Sequence, residues 1–218
     1  GTLDVLLTGT RNVAVGQDAI GAADGAESDN VAIGANALGT LNLDTSVKNI
    51  AIGSYALDDC GTNEQIGTIA IGYNALTALT TGASNTAVGY TAMLGHITGG
   101  YNTVVGYGAM DGTGTGSTSA GSNHNTVLGY NAAGGSWADQ DCSNLIAIGS
   151  NALAGALQGD TADGAVAIGS HALYALTTGA GNTAVGYSSG KLITTGAHNT
   201  SLGHSALLDV IDGTGNVA

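Results

Sequence analysis

The chain has 218 residues, 38 of them glycine, with neither proline nor phenylalanine and with only 9% charged side chains. Sixteen acidic residues against three basic ones give a net charge of −13, which argues against nucleic-acid and anionic-membrane partners because both need a basic patch. Glycine without a Gly-X-Y period argues against collagen, and a 43% apolar share is too high for a disordered linker. No apolar run approaches the roughly 20 residues that span a bilayer, so no membrane insertion is expected.

A ten-residue phrase recurs along the whole chain. It is SNTAVGYTAM at residues 84–93 and YNTVVGYGAM at residues 101–110. Aligned on its central glycine, the phrase occurs eleven times at spacings of 17 to 23 residues, and we number these copies as rungs 1 to 11: Gly16, Gly34, Gly53, Gly72, Gly89, Gly106, Gly129, Gly149, Gly169, Gly186 and Gly203. This period predicts an all-β fold, a parallel β-solenoid or β-roll, in which residues 1–218 form a single repeat domain.

Each rung is expected to contain a short β-strand that ends at the glycine. The residue directly before the glycine is aliphatic in every rung, from Val15 to Leu202. Two residues before this aliphatic residue stands a β-branched residue, from Val13 to Thr200, and a small residue usually lies between the two. This alternation predicts a strand whose first and third side chains share one face. We expect that face to be core or an interface.

The residues after the glycine predict how the chain returns to the next rung. Two mostly polar positions are followed by alanine in ten of the eleven rungs, and then usually by Leu or Met. Leu79 and Leu176 each begin the sequence LTTGA, and Ile193 begins ITTGA. We interpret these segments as a second short strand or a turn.

Charged residues are excluded from the repeated phrase. Of the 19 charged residues, only Asp18 lies within four residues of a rung glycine. Stacked identical columns would place like charges roughly 4.8 Å apart, so an in-register stack requires this exclusion. Eleven rungs at that spacing predict a rod on the order of 50 Å long. Residues 216–218 match the start of a twelfth rung, and we expect the chain to be cut mid-rung at both ends from a longer fibre.

Two polar columns could do more than support the fold. Asparagine precedes the β-branched residue in eight rungs, and we favour a stacked amide ladder over ligand contact. Tyrosine follows the glycine in five rungs, at Tyr73, Tyr90, Tyr107, Tyr130 and Tyr187. An aromatic row can bind sugar rings by stacking, but packing or a subunit contact is the favoured interpretation.

Other chemistry is weakly supported. Five threonines lie in the β-branched column, but they share it with Val and Ile, which disfavours an ice-binding face. Cys60 and Cys142 lie four rungs apart, roughly 19 Å along the rod, so no disulfide is predicted between them. The acidic pairs Asp139/Asp141 and Asp160/Asp163 could hold calcium, although solvated loops are the favoured interpretation. No cofactor or metal-ligand pattern and no catalytic constellation is recognisable.

The phrases NVAIGANAL, NIAIGSYAL and AVAIGSHAL resemble the head repeats of YadA-like trimeric autotransporter adhesins. The longer unit ALTALTTGASNTAVGYTAM at residues 75–93 is similar to repeats in phage tail-fibre proteins. The resemblance extends over all eleven rungs. It implies a homotrimeric β-roll that is displayed on a cell or virion surface and contacts host glycans or proteins. The rungs here are longer than those of the adhesin heads, which favours the tail-fibre or a divergent adhesin type.

We therefore expect a non-enzymatic, extracellular structural segment of an elongated attachment fibre. The alternative from another class is a carbohydrate-binding or carbohydrate-cleaving solenoid that uses the tyrosine row. Ice binding is a distant third hypothesis.

Overall fold

A computed structural model of the chain describes residues 9–21, 27–40, 46–59, 66–113, 121–137, 141–158 and 162–218. These residues form a parallel β-solenoid with eleven strands and no α-helix. Each strand pairs in parallel with the next strand in the sequence, so one eleven-stranded sheet runs along the rod. The strands are β1 (Val13–Val15), β2 (Val31–Ile33), β3 (Ile50–Ile52), β4 (Ile69–Ile71), β5 (Thr86–Val88), β6 (Thr103–Val105), β7 (Thr126–Leu128), β8 (Ile146–Ile148), β9 (Val166–Ile168), β10 (Thr183–Val185) and β11 (Thr200–Leu202).

The register of the sheet is the one in which the repeats align. Thr86 pairs with Thr103 and Val88 with Val105, so equivalent residues of successive rungs are direct neighbours. The rung glycine keeps this register because the backbones of successive rungs approach very closely there. A Cβ atom on Gly89, whose φ is +143°, would lie 2.2 Å from the carbonyl oxygen of Gly106. No side chain fits between the rungs at this column, which accounts for its invariance along the chain.

The central residue of each strand faces the interior. Ala87 and Val104 are fully buried there, and the column they belong to is alanine in most rungs. The first and third residues face outward, as the exposed fractions of 48% for Val13 and 47% for Leu128 show. The prediction that these two columns share a face is confirmed, but its core alternative is wrong. The interior is too narrow at the sheet for larger side chains, because two further buried columns fill it from the opposite side.

Those two columns follow the glycine. In most rungs the alanine three residues after the glycine and the Leu or Met four residues after it are buried, as are Ala92 and Met93 of rung 5. The chain turns through left-handed backbone at Thr91 and Met93, both with φ +53°. Left-handed geometry costs a non-glycine residue about 1–2 kcal/mol, and complete burial of the Met93 side chain offsets that cost.

The LTTGA segments are turns rather than strands. Leu79, Leu176 and Ile193 are buried in the interior. The amides of Thr80 and Thr81 both donate to the carbonyl oxygen of Ile97, at 2.8 and 3.3 Å. These turns therefore hydrogen-bond to the next rung, and the turn interpretation of the sequence is correct among the rungs described.

Candidate interaction surfaces

The outward face of the sheet is a continuous apolar surface. We call it the outer face, and it consists of the first and third residues of β1 to β11. All of these residues are Val, Ile, Leu or Thr, and none is charged. Their exposure ranges from half-buried, as at Val88 and Val105, to 71% at Leu202. A long, uncharged and partly exposed aliphatic surface is a place where a monomer would bind another molecule.

The asparagine ladder lies at the edge of the outer face and is structural. The backbone amide of Asn125 donates to Oδ1 of Asn102 at 3.0 Å, and Nδ2 of Asn102 donates to the carbonyl oxygen of Ser122 at 2.9 Å. The same bond between successive rungs joins Asn30 to Asn12 and Asn199 to Asn182. Most of these side chains are fully buried. Their hydrogen bonds are used within the solenoid, which favours the predicted amide ladder over ligand contact.

The five predicted tyrosines are divided between one stacked array and one separate aromatic cluster. Tyr73, Tyr90, Tyr107 and Tyr130 stack face to face, with ring centroids 5.0 to 5.5 Å apart and planes inclined by 8° to 17°. We call these four residues the tyrosine ladder. At the Tyr73 end, the ring of Tyr55 packs edge-on at 6.1 Å. The facing surfaces of the ladder rings are covered by neighbouring rings, so these stacked faces are not open to a sugar, and saccharide contact along the row stays a prediction.

The fifth predicted tyrosine does not join the ladder. Tyr187 stacks on His204 at 5.2 Å and meets the ring of His171 at 6.3 Å. His171 also contacts Tyr174 at 5.4 Å. The structure therefore places the five predicted residues in two groups, and the two histidines that complete the second group were not expected from the sequence. His204 directly follows its rung glycine, in the same column as Tyr187, and His171 is the second residue after its rung glycine.

A column of alternating charge precedes the asparagine ladder. Nε and Nη2 of Arg11 donate to the two carboxylate oxygens of Asp29, the second bond being 2.8 Å long. Lys48 occupies the same position in rung 3. The hydrogen bond from Arg11 lowers the pKa of Asp29, and the charge of Lys48 acts in the same direction. Opposite charges on adjacent rungs extend the rule that like charges are not stacked.

His96 occupies a core position that other rungs fill with Leu or Ile. It lies seven residues after its rung glycine, as do Leu79, Leu176 and Ile193. Burial lowers the pKa of His96 to about 4, against weaker opposing effects of the Gly99 carbonyl and the Asp141 carboxylate. Its Nε2 lies 3.4 Å from the carbonyl oxygen of Gly99. The histidine is therefore neutral at pH 7 and belongs to the core.

The loop acids that could hold calcium have structural partners where they are described. Asp141 accepts a hydrogen bond from the amide of Gly121 at 2.6 Å, and Asp163 accepts one from the amide of Ser143 at 2.7 Å. Asp139 and Asp160 lie outside the described residues. Within the described ranges, no three His, Cys, Asp or Glu side chains come together as a metal site would require.

Cys142 is buried, and its amide donates to Oγ of Ser122 at 3.0 Å. Cys60 lies outside the described residues, so the predicted lack of a disulfide between the two remains a prediction. In the parts of the chain that the structure describes, no helix is long and apolar enough to cross a membrane.

A shallow groove of about 430 Å³ runs between rungs 9 and 10 on the turn side of the solenoid. Its lining consists of Thr178, Gly179, Ala180, Thr195 and Ala197. The groove has no aromatic or charged side chain, so it offers only hydroxyl and methyl contacts.

No protein-family model matches the chain, and comparisons with curated proteins and with solved structures give no significant match.

Proposed function

We propose that this chain is a non-enzymatic segment of an elongated extracellular fibre that mediates attachment at a cell or virion surface. One observation carries the proposal: the eleven strands stack in register into one rod whose outer face is mostly aliphatic, uncharged and partly exposed. A rod in which each rung contacts only the next and the previous rung can hold a surface away from its point of attachment. This is the role implied by the resemblance to adhesin-head and tail-fibre repeats.

The outer face supports self-association of this rod. Eleven strands spaced by about 4.8 Å and three residues wide give a surface of roughly 500 Å². An apolar patch of this size is at the upper end of what monomers leave exposed. We propose that the outer face of each copy is covered by the other copies of the chain and that the assembly is a homotrimer. The threefold order comes from the resemblance, and the identity of the covering surface comes from the exposed side chains.

The test is the mass of the soluble chain by light scattering and equilibrium sedimentation. A trimer has three times the protomer mass of 21.0 kDa. Val88→Asp, near the middle of the outer face, should weaken association at least tenfold because it buries an unpaired charge. Ser84→Asp adds the same charge to an exposed position of the same rung and should leave the mass unchanged. A compact monomer at every concentration would refute the trimer.

The surface location is tested separately. Antibodies against the chain should label intact cells or particles of the source without permeabilisation. Labelling that requires permeabilised material would contradict an extracellular role.

A further inference from the structure

The aromatic column beside the outer face is interrupted at two rungs. Tyr130 ends the tyrosine ladder in rung 7, and the equivalent residues of rungs 8 and 9 are Ser150 and Ser170 before Tyr187 follows in rung 10. The backbone ladder continues through the interruption. The amide of Asn151 donates to the carbonyl oxygen of Tyr130 at 2.9 Å, and the amide of His171 donates to that of Ser150 at 3.0 Å. The rungs therefore stay at strand spacing, and only the rings are missing.

This interruption forms a notch with an aromatic wall. Three rungs separate Tyr130 from Tyr187, so their ring positions are roughly 14 Å apart along the rod. One face of the Tyr130 ring packs on Tyr107, and no ring among the described residues stacks on the other. Tyr130 is 58% exposed, compared with 54% for Tyr107 and 47% for Tyr90, both of which have rings stacked on their two faces. Tyr130 is therefore the ladder tyrosine that presents a ring face beside an open space.

The floor of the notch is polar and neutral. Nδ2 of Asn131 donates to Oδ1 of Asn151 at 2.8 Å, and Nδ2 of Asn151 donates to Oγ of Ser150 at 3.2 Å. On the far side, Oγ of Ser170 lies 2.9 Å from Nδ1 of His171. These half-buried groups retain hydrogen-bonding capacity toward solvent because each serine hydroxyl can accept more than one bond and can donate one.

We infer that this notch binds a neutral hexopyranose residue of a glycan. A pyranose has an apolar C–H face, which matches the open face of Tyr130, and a rim of hydroxyls, which matches Ser150, Asn151 and Ser170. The net charge of −13 favours a neutral sugar over a sialylated or sulfated one. The notch thus supplies a specific contact within the attachment role proposed above, and it lies at the rim of the outer face.

The affinity of one notch for a single sugar residue is expected to be low. One stacked ring and a few solvent-exposed hydrogen bonds correspond to a dissociation constant on the order of 1 mM. A trimeric fibre with one notch on each protomer would raise the apparent affinity for a surface that carries many copies of the sugar. The site is therefore suited to surface attachment rather than to capture of free sugar.

The experiment is a saturation-transfer NMR titration of the full chain with methyl α-D-glucopyranoside, methyl α-D-mannopyranoside and methyl β-D-galactopyranoside. At least one of them should bind the wild type. Ser150→Tyr should weaken that binding at least tenfold, because a tyrosine in rung 8 extends the ladder over the open face of Tyr130. Tyr130→Ala should do the same by removing the wall.

Tyr101→Ala is the matched control, because Tyr101 is an exposed ring stacked on His124 at 5.2 Å in a different column. It should leave sugar binding unchanged. No binding of any of the three glycosides at 20-fold the expected constant of about 1 mM would overturn the inference, as would binding that survives Ser150→Tyr. The mass of Ser150→Tyr, measured by light scattering, keeps the two proposals apart. Loss of sugar binding with unchanged assembly supports the notch, whereas a wild type that assembles but binds no sugar refutes the notch and leaves the fibre.

Discussion

Tyr90 and Tyr107 stack with ring centroids 5.0 Å apart and planes inclined by only 8°. They belong to successive rungs and are separated by seventeen residues, the length of one repeat. The stacking distance is close to the strand spacing of about 4.8 Å, so the backbone register alone brings the rings into contact.

Removal of one ladder ring should destabilise the solenoid. Tyr90→Ala removes the stacking contacts with both Tyr73 and Tyr107, and it should lower the free energy of unfolding by about 1–3 kcal/mol. Urea denaturation followed by circular dichroism measures the change. Tyr90→Phe keeps the ring and should be nearly neutral. Equal losses in the two variants would show that the hydroxyl, rather than stacking, stabilises the column.

The asparagine ladder should contribute more to the free energy of unfolding where its side chains are buried. Asn102→Ala leaves the amide of Asn125 and the carbonyl of Ser122 without these partners in the interior, which should cost about 2–5 kcal/mol. Asn12→Ala removes the equivalent two bonds, to Asn30 and Glu27, at a half-exposed position. Water can replace those bonds, so a clearly smaller loss is expected in the same denaturation experiment. A larger loss for Asn12→Ala would contradict this account of the ladder.

Gly89 and Gly203 separate steric contact from backbone strain. Both glycines have a positive φ, +143° and +130°, that a side chain disfavours. A Cβ on Gly89 would lie 2.2 Å from the carbonyl oxygen of Gly106, whereas a Cβ on Gly203 would have no atom within 4 Å. Gly203→Ala should therefore cost only the backbone strain, about 1–3 kcal/mol. Gly89→Ala should cost distinctly more or prevent folding, as thermal unfolding of the two variants would show. Equal melting temperatures would mean that the rungs can separate at this column.

His96 should make stability depend on pH. The unfolded chain binds a proton near the ordinary pKa of 6.5, but the buried folded-state histidine does so only near 4. Its contribution is therefore complete above pH 6.5 and is lost as the pH falls from 6.5 toward 4, by roughly 3 kcal/mol in total.

The comparison with His96→Leu isolates this effect, because Leu is the residue at the equivalent position in rung 4. Burial raises the pKa of Asp58 and of Asp111, so both carboxyls contribute to the pH profile in the opposite direction, and they are present in both proteins. Between pH 7 and pH 4 the denaturation midpoint of the wild type should fall relative to that of His96→Leu, because only the wild type loses the His96 contribution. Parallel profiles would show that His96 is not buried in a neutral form.

The sequence predicts the rungs, their register and the asparagine ladder, because each depends on a column that repeats. It does not reveal which side of the strand is inside. In a Val-Ala-Ile strand, alternation separates alanine from the aliphatic pair, and either side could form a core. The choice depends on the width of the coil, which is set by Ala92 and Met93 and their equivalents across the interior. His96 and His204 lie in columns that the glycine alignment gives, but a single histidine in an aliphatic or a tyrosine column does not show from the sequence that it is buried or stacked there.

The backbone hydrogen bonds between rungs, such as that from Gly89 to Ile71 and that from Gly106 to Val88, follow the direction of the rod. Tension applied between its two ends would therefore stretch these bonds in series, and the weakest junction would yield first while the others remained closed. An isolated chain should extend in small successive steps under load. Copies that lie side by side would share the force, so lateral contact along the outer face would make the assembly stiffer under tension than an isolated chain.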